Sequence, residues 1–300
     1  MRTSPVPPGP KGHLLLGALR EIKREELDYL NRIVREYGDV VYVRIVNHPC
    51  YILSHPRDIE YVLLGNNTNF VKSVFLRESR ALFGNGLLTS DGSFWLQQRR
   101  LLQPAFHHER IAAYSRTMAQ HTTQMLDTWR DGEVRDVHRD MARLTLEIIA
   151  NVLFGSNIGS EAEQIGDALC VFFEQFDERF GLYAIPEWLP TPGNLRYRMA
   201  IGRLNRILEG VIHYRHFNGK DSTSVLSALL RAQDEDGRGM TERQLRDEMM
   251  TLFFTGHETT ALALSWTWYL LAQHPEVANR LAEEVDRVVG RREPTYEDLP

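Results

Sequence analysis

The spacing of apolar positions changes character several times along the chain. Across residues 21–37, Ile22, Leu27, Leu30, Ile33 and Val34 approximate a helical repeat, and Gly38 is suited to stop that helix. Residues 40–46 are instead rich in Val, Tyr and Ile. Asn47-His48-Pro49 separates them from a second β-like run at 50–53, and the pair predicts a hairpin. After Ser54-His55-Pro56 helical spacing returns, and residues 109–153, 160–180, 199–216 and 222–233 read as helices with short Pro or Gly interruptions. Residues 185–193 hold three prolines and predict a loop. The proline-rich lead, residues 5–10, lacks the N–H groups that helices and ladders need and predicts an extended strap.

The longest helix begins at Thr241-Glu242-Arg243-Gln244, which has the form of a capping box. Nothing stops it before His274-Pro275, so it runs about 33 residues, or about 50 Å. Its middle, Thr255-Gly256-His257-Glu258-Thr259-Thr260, opposes helix: Gly costs about 1 kcal/mol against Ala and each Thr several tenths. Leu252, Thr255, Gly256, Thr259 and Ala263 share one face, which is narrow and carries hydroxyls halfway along. A threonine there can bond the carbonyl four residues back and open the helix locally. Two readings remain: a close helix crossing through Gly256, or a groove for a flat or small ligand. A zinc-protease reading of His257-Glu258 fails, because Ala261 stands where H-E-x-x-H needs its second histidine.

Of the 300 residues 43% are hydrophobic, enough for a large core, and the absence of repeats or a Gly/Ser-rich linker favours a single, mainly α domain with a small N-terminal β-element. The net charge of −5 supplies no basic field for nucleic acid. No apolar run reaches the roughly 18 residues of a membrane span, so neither anchor nor signal peptide is expected, and the location expected is cytoplasmic. Cys50 and Cys170 lack metal-ligand or disulfide spacing. Trp95 and Arg99, four apart on a helix, can point together at an anion, or can form an aromatic–cation pair at a core edge. His107 and His108 diverge on a helix and are given no site.

The central hexad resembles the oxygen-activation motif of cytochromes P450, Ala/Gly-Gly-x-Asp/Glu-Thr-Thr/Ser, with matches at Gly256, Glu258, Thr259 and Thr260 and a departure at Thr255. Gly84-x-Gly86-Leu87-Leu88 and Asp91-Gly92-x-x-Trp95-x-x-x-Arg99-Arg100 are similar to the family's B-C loop and C helix. Pro104 and Phe106 resemble the Pro-x-Phe that follows, and His274-Pro275-Glu276 resembles the start of the J helix.

The resemblance implies the cytochrome P450 fold, haem b, O2, and electrons from NAD(P)H through a separate ferredoxin or flavodoxin and its reductase. It implies a monooxygenase for a lipophilic substrate of fatty-acid or terpenoid type. Thr259 would hold the activated oxygen and a water, with Glu258 relaying protons. Trp95 and Arg99 would hold the propionates. Leu87, Phe106, Leu252, Thr255 and Gly256 would line the haem, and Leu88 with Thr255 would face substrate. No metal ligand is assigned.

The family's iron ligand sits in Phe-x-x-Gly-x-x-x-Cys-x-Gly. Cys50 has Val43 at the Phe place, and Cys170 has Glu163 there and Phe172 at the final Gly. The axial cysteine is therefore expected beyond residue 300, after a missing K helix, and the 300 residues alone are expected to be inactive. Two other readings stand beside this one: a noncatalytic helical relative that binds a ligand or partner, and an unrelated helical hydrolase or metal enzyme, for which no nucleophile elbow, phosphate loop or metal cluster speaks.

Overall fold

The computed structural model describes residues 6–73, 76, 79–155, 166, 189–218 and 223–299, and the chain divides into two compact units, Met1–Val71 and Lys72–Pro300. The architecture is mainly α with one two-stranded antiparallel sheet among the described residues, as the sequence implies.

In the first unit, helix α1 (Leu19–Tyr37) turns Tyr29 and Ile33 toward Val41 and Val43 of strand β1 (Val40–Ile45), making a small apolar core with Ala18. Gly38 ends α1 at φ 97°, its N–H donating to Val34 O. Strand β2 (His48–Leu53) pairs antiparallel with β1, from Val40↔Leu53 to Ile45↔His48. His48 and Pro49 thus belong to the strand and do not separate two runs. The connection is only Val46 and Asn47, with Val46 at φ 54°. A proline is tolerated because β2 has a single partner strand, leaving one edge that needs no ladder donor. The lead-in is non-helical over residues 6–12, and Pro8 O accepts from Tyr42 N at 2.9 Å. Helix α2 (Pro56–Glu60) follows, capped by the His55 side chain.

The second unit contains α3 (Arg80–Phe83), α4 (Gly92–Leu102), α5 (His108–Leu126), α6 (Val137–Phe154), α7 (Pro192–Asn218), α8 (Val225–Arg231), α9 (Glu242–Gln273) and α10 (Pro275–Val288). Its core gathers Phe83, Phe154, Leu204, Leu208, Val225, Leu226, Met249 and Phe253, with the Phe154 and Phe253 rings 6.1 Å apart. The helical pattern at 109–153 is two helices. α5 ends at Leu126, Gly132 turns at φ 76°, and Asp136 restarts the chain by accepting from Arg139 N at 3.1 Å. Helix α7 begins earlier than its apolar spacing suggests. Pro192, expected in a loop, opens the helix, where its missing N–H costs nothing. The predicted helix at 160–180 lies outside the described residues except Gly166, as do residues 185–188 of the predicted loop.

Helix α9 runs 32 residues, about 48 Å. Its capping box is formed: Gln244 N donates to Thr241 Oγ1 at 3.2 Å and Thr241 N to Gln244 Oε1 at 2.8 Å. Its first half is embedded, from Leu245 to Phe253 and on through His257 to Ala261, whereas beyond Ala261 its side chains are exposed or half-buried. No described helix is long and apolar enough to cross a membrane.

Candidate functional site

The polar hexad stays α-helical. Its threonines close the helix on itself: Thr255 Oγ1 donates to Thr251 O at 2.8 Å, Thr259 Oγ1 to Thr255 O at 2.6 Å, and Thr260 Oγ1 to Gly256 O at 2.9 Å. The local opening that these residues can produce is therefore not adopted. Gly256 lies against α6, where an added Cβ would come within 2.8 Å of Ile149 Cδ1, so the small residue serves a close helix crossing. His257, also buried, places Nε2 at 3.1 Å from Ala142 O of the same helix. Burial lowers its pKa and outweighs the opposing Ala142 contact and Glu258. Glu258, half-buried, brings its carboxylate to 3.8 Å from His257 Nδ1, beyond hydrogen-bond length. Thr259 is exposed, Thr255 and Leu252 are half-buried, and Leu252 packs on the core.

Residues 84–90 are pinned to α9 by buried charge. Asn85 N donates to Asp247 Oδ2 at 2.8 Å and Leu87 N to Glu248 Oε2 at 3.0 Å. The two glycines make this approach possible. A Cβ on Gly84, which sits at φ 55°, would collide with the Asp247 carboxylate, and one on Gly86 would come within 2.5 Å of Thr251 Oγ1. Lys72 closes the arrangement, its Nζ donating to Leu87 O and, at 2.7 Å, to Ser90 O. Asp247 is compensated by Arg246 at 2.7 Å, whose guanidinium also donates to Asn205 Oδ1 of α7. Within this segment Leu88 packs on the core.

On α4 the Arg99 guanidinium lies 5.1 Å from the Trp95 ring centre and Lys72 Nζ lies 5.6 Å from it. The aromatic–cation pair is thus formed, and Lys72 links Trp95 to Leu87. Arg99 is exposed, and no carboxylate pairs with it among the described residues. Phe106, in the turn after α4, is 45% exposed.

The family model for cytochrome P450 matches residues 7–300. The chain belongs to the cytochrome P450 family. It is similar to a cyclooctat-9-en-7-ol 5-monooxygenase of Streptomyces melanosporofaciens, 36% identical over 95% of this chain and 62% of that protein. It is similar also to a cyclooctatin synthase of the same organism, 35% identical over 96% of this chain and 62% of that protein. A pentalenene oxygenase of Streptomyces avermitilis is 30% identical over 95% of this chain and 64% of that protein. The chain spans less than two thirds of the length of these relatives.

The P450 cofactor is haem, and the residues present fit part of its surroundings. A propionate needs a cation without a carboxylate of its own, which Arg99 on Trp95 provides. Cys50, the described cysteine, lies in β2 of the other unit, and burial pushes its thiol pKa up, the reverse of what a thiolate ligand needs. Cys170 lies outside the described residues.

Sequence reasoning passed over Lys72, Asp247 and Glu248. The available signal was a pair of acids directly before Met249-Met250 in the helix that must cross the core, together with two glycines one residue apart upstream.

Proposed function

We propose that the protein expressed from its complete gene is a monooxygenase that inserts one oxygen atom of O2 into a C–H bond of a lipophilic, terpenoid-like molecule. Residues 1–300 form part of one cytochrome P450 domain in this reading. The observation that carries it is Arg99, an exposed cation on Trp95 with no carboxylate partner among the described residues, in a chain that matches the family over 7–300. The names of the relatives, which act on cyclooctat-9-en-7-ol and pentalenene, favour cyclic lipophilic substrates over straight fatty acids.

When bound, haem, held through a cysteine thiolate in this family, would supply the dioxygen chemistry. Arg99 and Trp95 would hold the propionates, and Phe106, Leu87, Leu252 and Thr255 would line the ring, whereas Gly256, expected there, is taken up by the α6 crossing. Leu88 and Thr255 face substrate and exclude water from it. Thr259 exchanges its bond to Thr255 O for one to a water, holding a proton donor at Oγ1, and Glu258 passes protons inward from solvent. Electrons come from NAD(P)H through redox partners.

The test is turnover of pentalenene and of cyclooctat-9-en-7-ol under isotopically labelled dioxygen with surrogate redox proteins. One labelled oxygen per hydroxylated product is expected, and Thr259→Ala lowers the product formed per O2 consumed. Label arriving from water, or a Thr259→Ala variant with unchanged coupling, contradicts the reading.

A further inference from the structure

Glu248 is 1% exposed, yet it is only half satisfied: Oε2 accepts from Leu87 N, while Oε1 has no hydrogen-bond partner among the described residues. Its neighbour Asp247 is neutralised by Arg246, so the unbalanced charge of the pair rests on Glu248. Leu87 is gripped from both sides, its N–H by Glu248 and its carbonyl by Lys72. The peptide groups on either side of Leu87 are therefore each held by an ionisable side chain, one of them on the same helix as Thr255 and Thr259.

We propose that Glu248 is a positioning residue which, through the Leu87 N–H, holds residues 84–90 against α9 and so sets where Leu87 and Leu88 stand. This rests on the reading of those two leucines as cofactor and substrate contacts. An ionised carboxylate with one buried, unpartnered oxygen is costly, and opening of the segment relieves that cost by admitting water. The protonated acid keeps a carbonyl oxygen for Leu87 and carries no charge. The groups that face it are Asp247 on α9 and Lys72, with Arg246 acting on Asp247 and Asp91 on Lys72 in turn. Burial is the largest influence and pushes the Glu248 pKa up to about 7; Asp247 adds to it, while the Leu87 N–H and Lys72 oppose it. The sign follows by linkage. The closed segment binds the proton more tightly than the open one, so closure is strongest below the ordinary value of 4.5 and weakens as pH rises toward about 7.

The test is amide hydrogen exchange at Leu87, corrected for intrinsic rates, across that pH window, in the haem-loaded protein from the complete gene. In the wild type, protection at Leu87 falls at least about tenfold, while amides of the Leu226–Leu229 core do not change. Glu248→Gln, neutral and still an acceptor, holds the low-pH protection throughout. Glu248→Ala loses it at every pH. A wild-type profile equal to that of Glu248→Gln overturns the proposal even if the alanine variant fails to fold, and so does a folded Glu248→Ala with full protection. The carbon-monoxide difference band of the same preparation separates the two ideas: a thiolate band with a flat Leu87 profile removes only the positioning role, whereas a Leu87 response without that band removes the monooxygenase reading.

Discussion

The two halves of α9 reverse the usual relation between polarity and burial. In the first half Arg246, Asp247 and Glu248 are inside, 9%, 4% and 1% exposed. In the second half Trp266, Tyr269 and Leu270 are each half or more exposed, and α10 likewise shows Val277, Leu281, Val285 and Val288 to solvent. The same helix thus buries charge and exposes aromatic rings. The difference lies in what packs against each half. Around the first half, residues 84–90 supply the Asn85 and Leu87 N–H groups and α7 supplies Asn205, which meet the buried charges except at Glu248 Oε1. Beyond Ala261 few described elements meet the helix, and side-chain character alone does not bury it.

Substitutions should separate the halves, in the following order of size. Phe253→Ala, stacked near Phe154 in the core, should destabilise the fold by about 3–5 kcal/mol in urea unfolding. Asp247→Ala should cost about 3 kcal/mol, because it strands the Arg246 guanidinium and the Asn85 N–H inside the core. Asp247→Asn should recover only part of this, since it keeps the acceptor and loses the charge.

Gly256→Ala should cost about 1–2 kcal/mol, and Ile149→Val in the same chain should return most of it, since the clash is with the Ile149 Cδ1 methyl. Full additivity of the two would show that the helix crossing is not the reason for the glycine. Thr241→Ala should remove about 1 kcal/mol by deleting the helix cap. Smallest of all, Trp266→Ser in the 300-residue chain should stay within about 0.5 kcal/mol of the wild type. A loss there as large as that at Phe253 would break the contrast between the halves.

Much of this frame is legible in the sequence where the signal is local. The Thr241 box, the Gly38 stop and the Val-, Tyr- and Ile-rich run of β1 are decided by neighbours a few residues away, and each forms as expected. Pro49 and Pro192 misled, because proline excludes itself from a helix interior or central strand but not from an edge strand or a first helical turn. The hexad could be found but not its geometry, since whether Thr259 opens the helix or closes on Thr255 O depends on what lies beside it. Asp247 and Glu248 were illegible for a further reason. Their partners stand about 160 residues upstream, and no periodicity encodes a pairing of that range.

The central claim, that these residues serve a haem-thiolate oxygenase, is met most directly by the difference spectrum of the reduced, carbon-monoxide-bound protein expressed from its complete gene. The red-shifted Soret band of a thiolate-ligated ferrous haem is expected, with Arg99→Ala weakening haem retention while leaving the fold intact. A spectrum without bound haem, or with the band position of an imidazole-ligated haem, would contradict it.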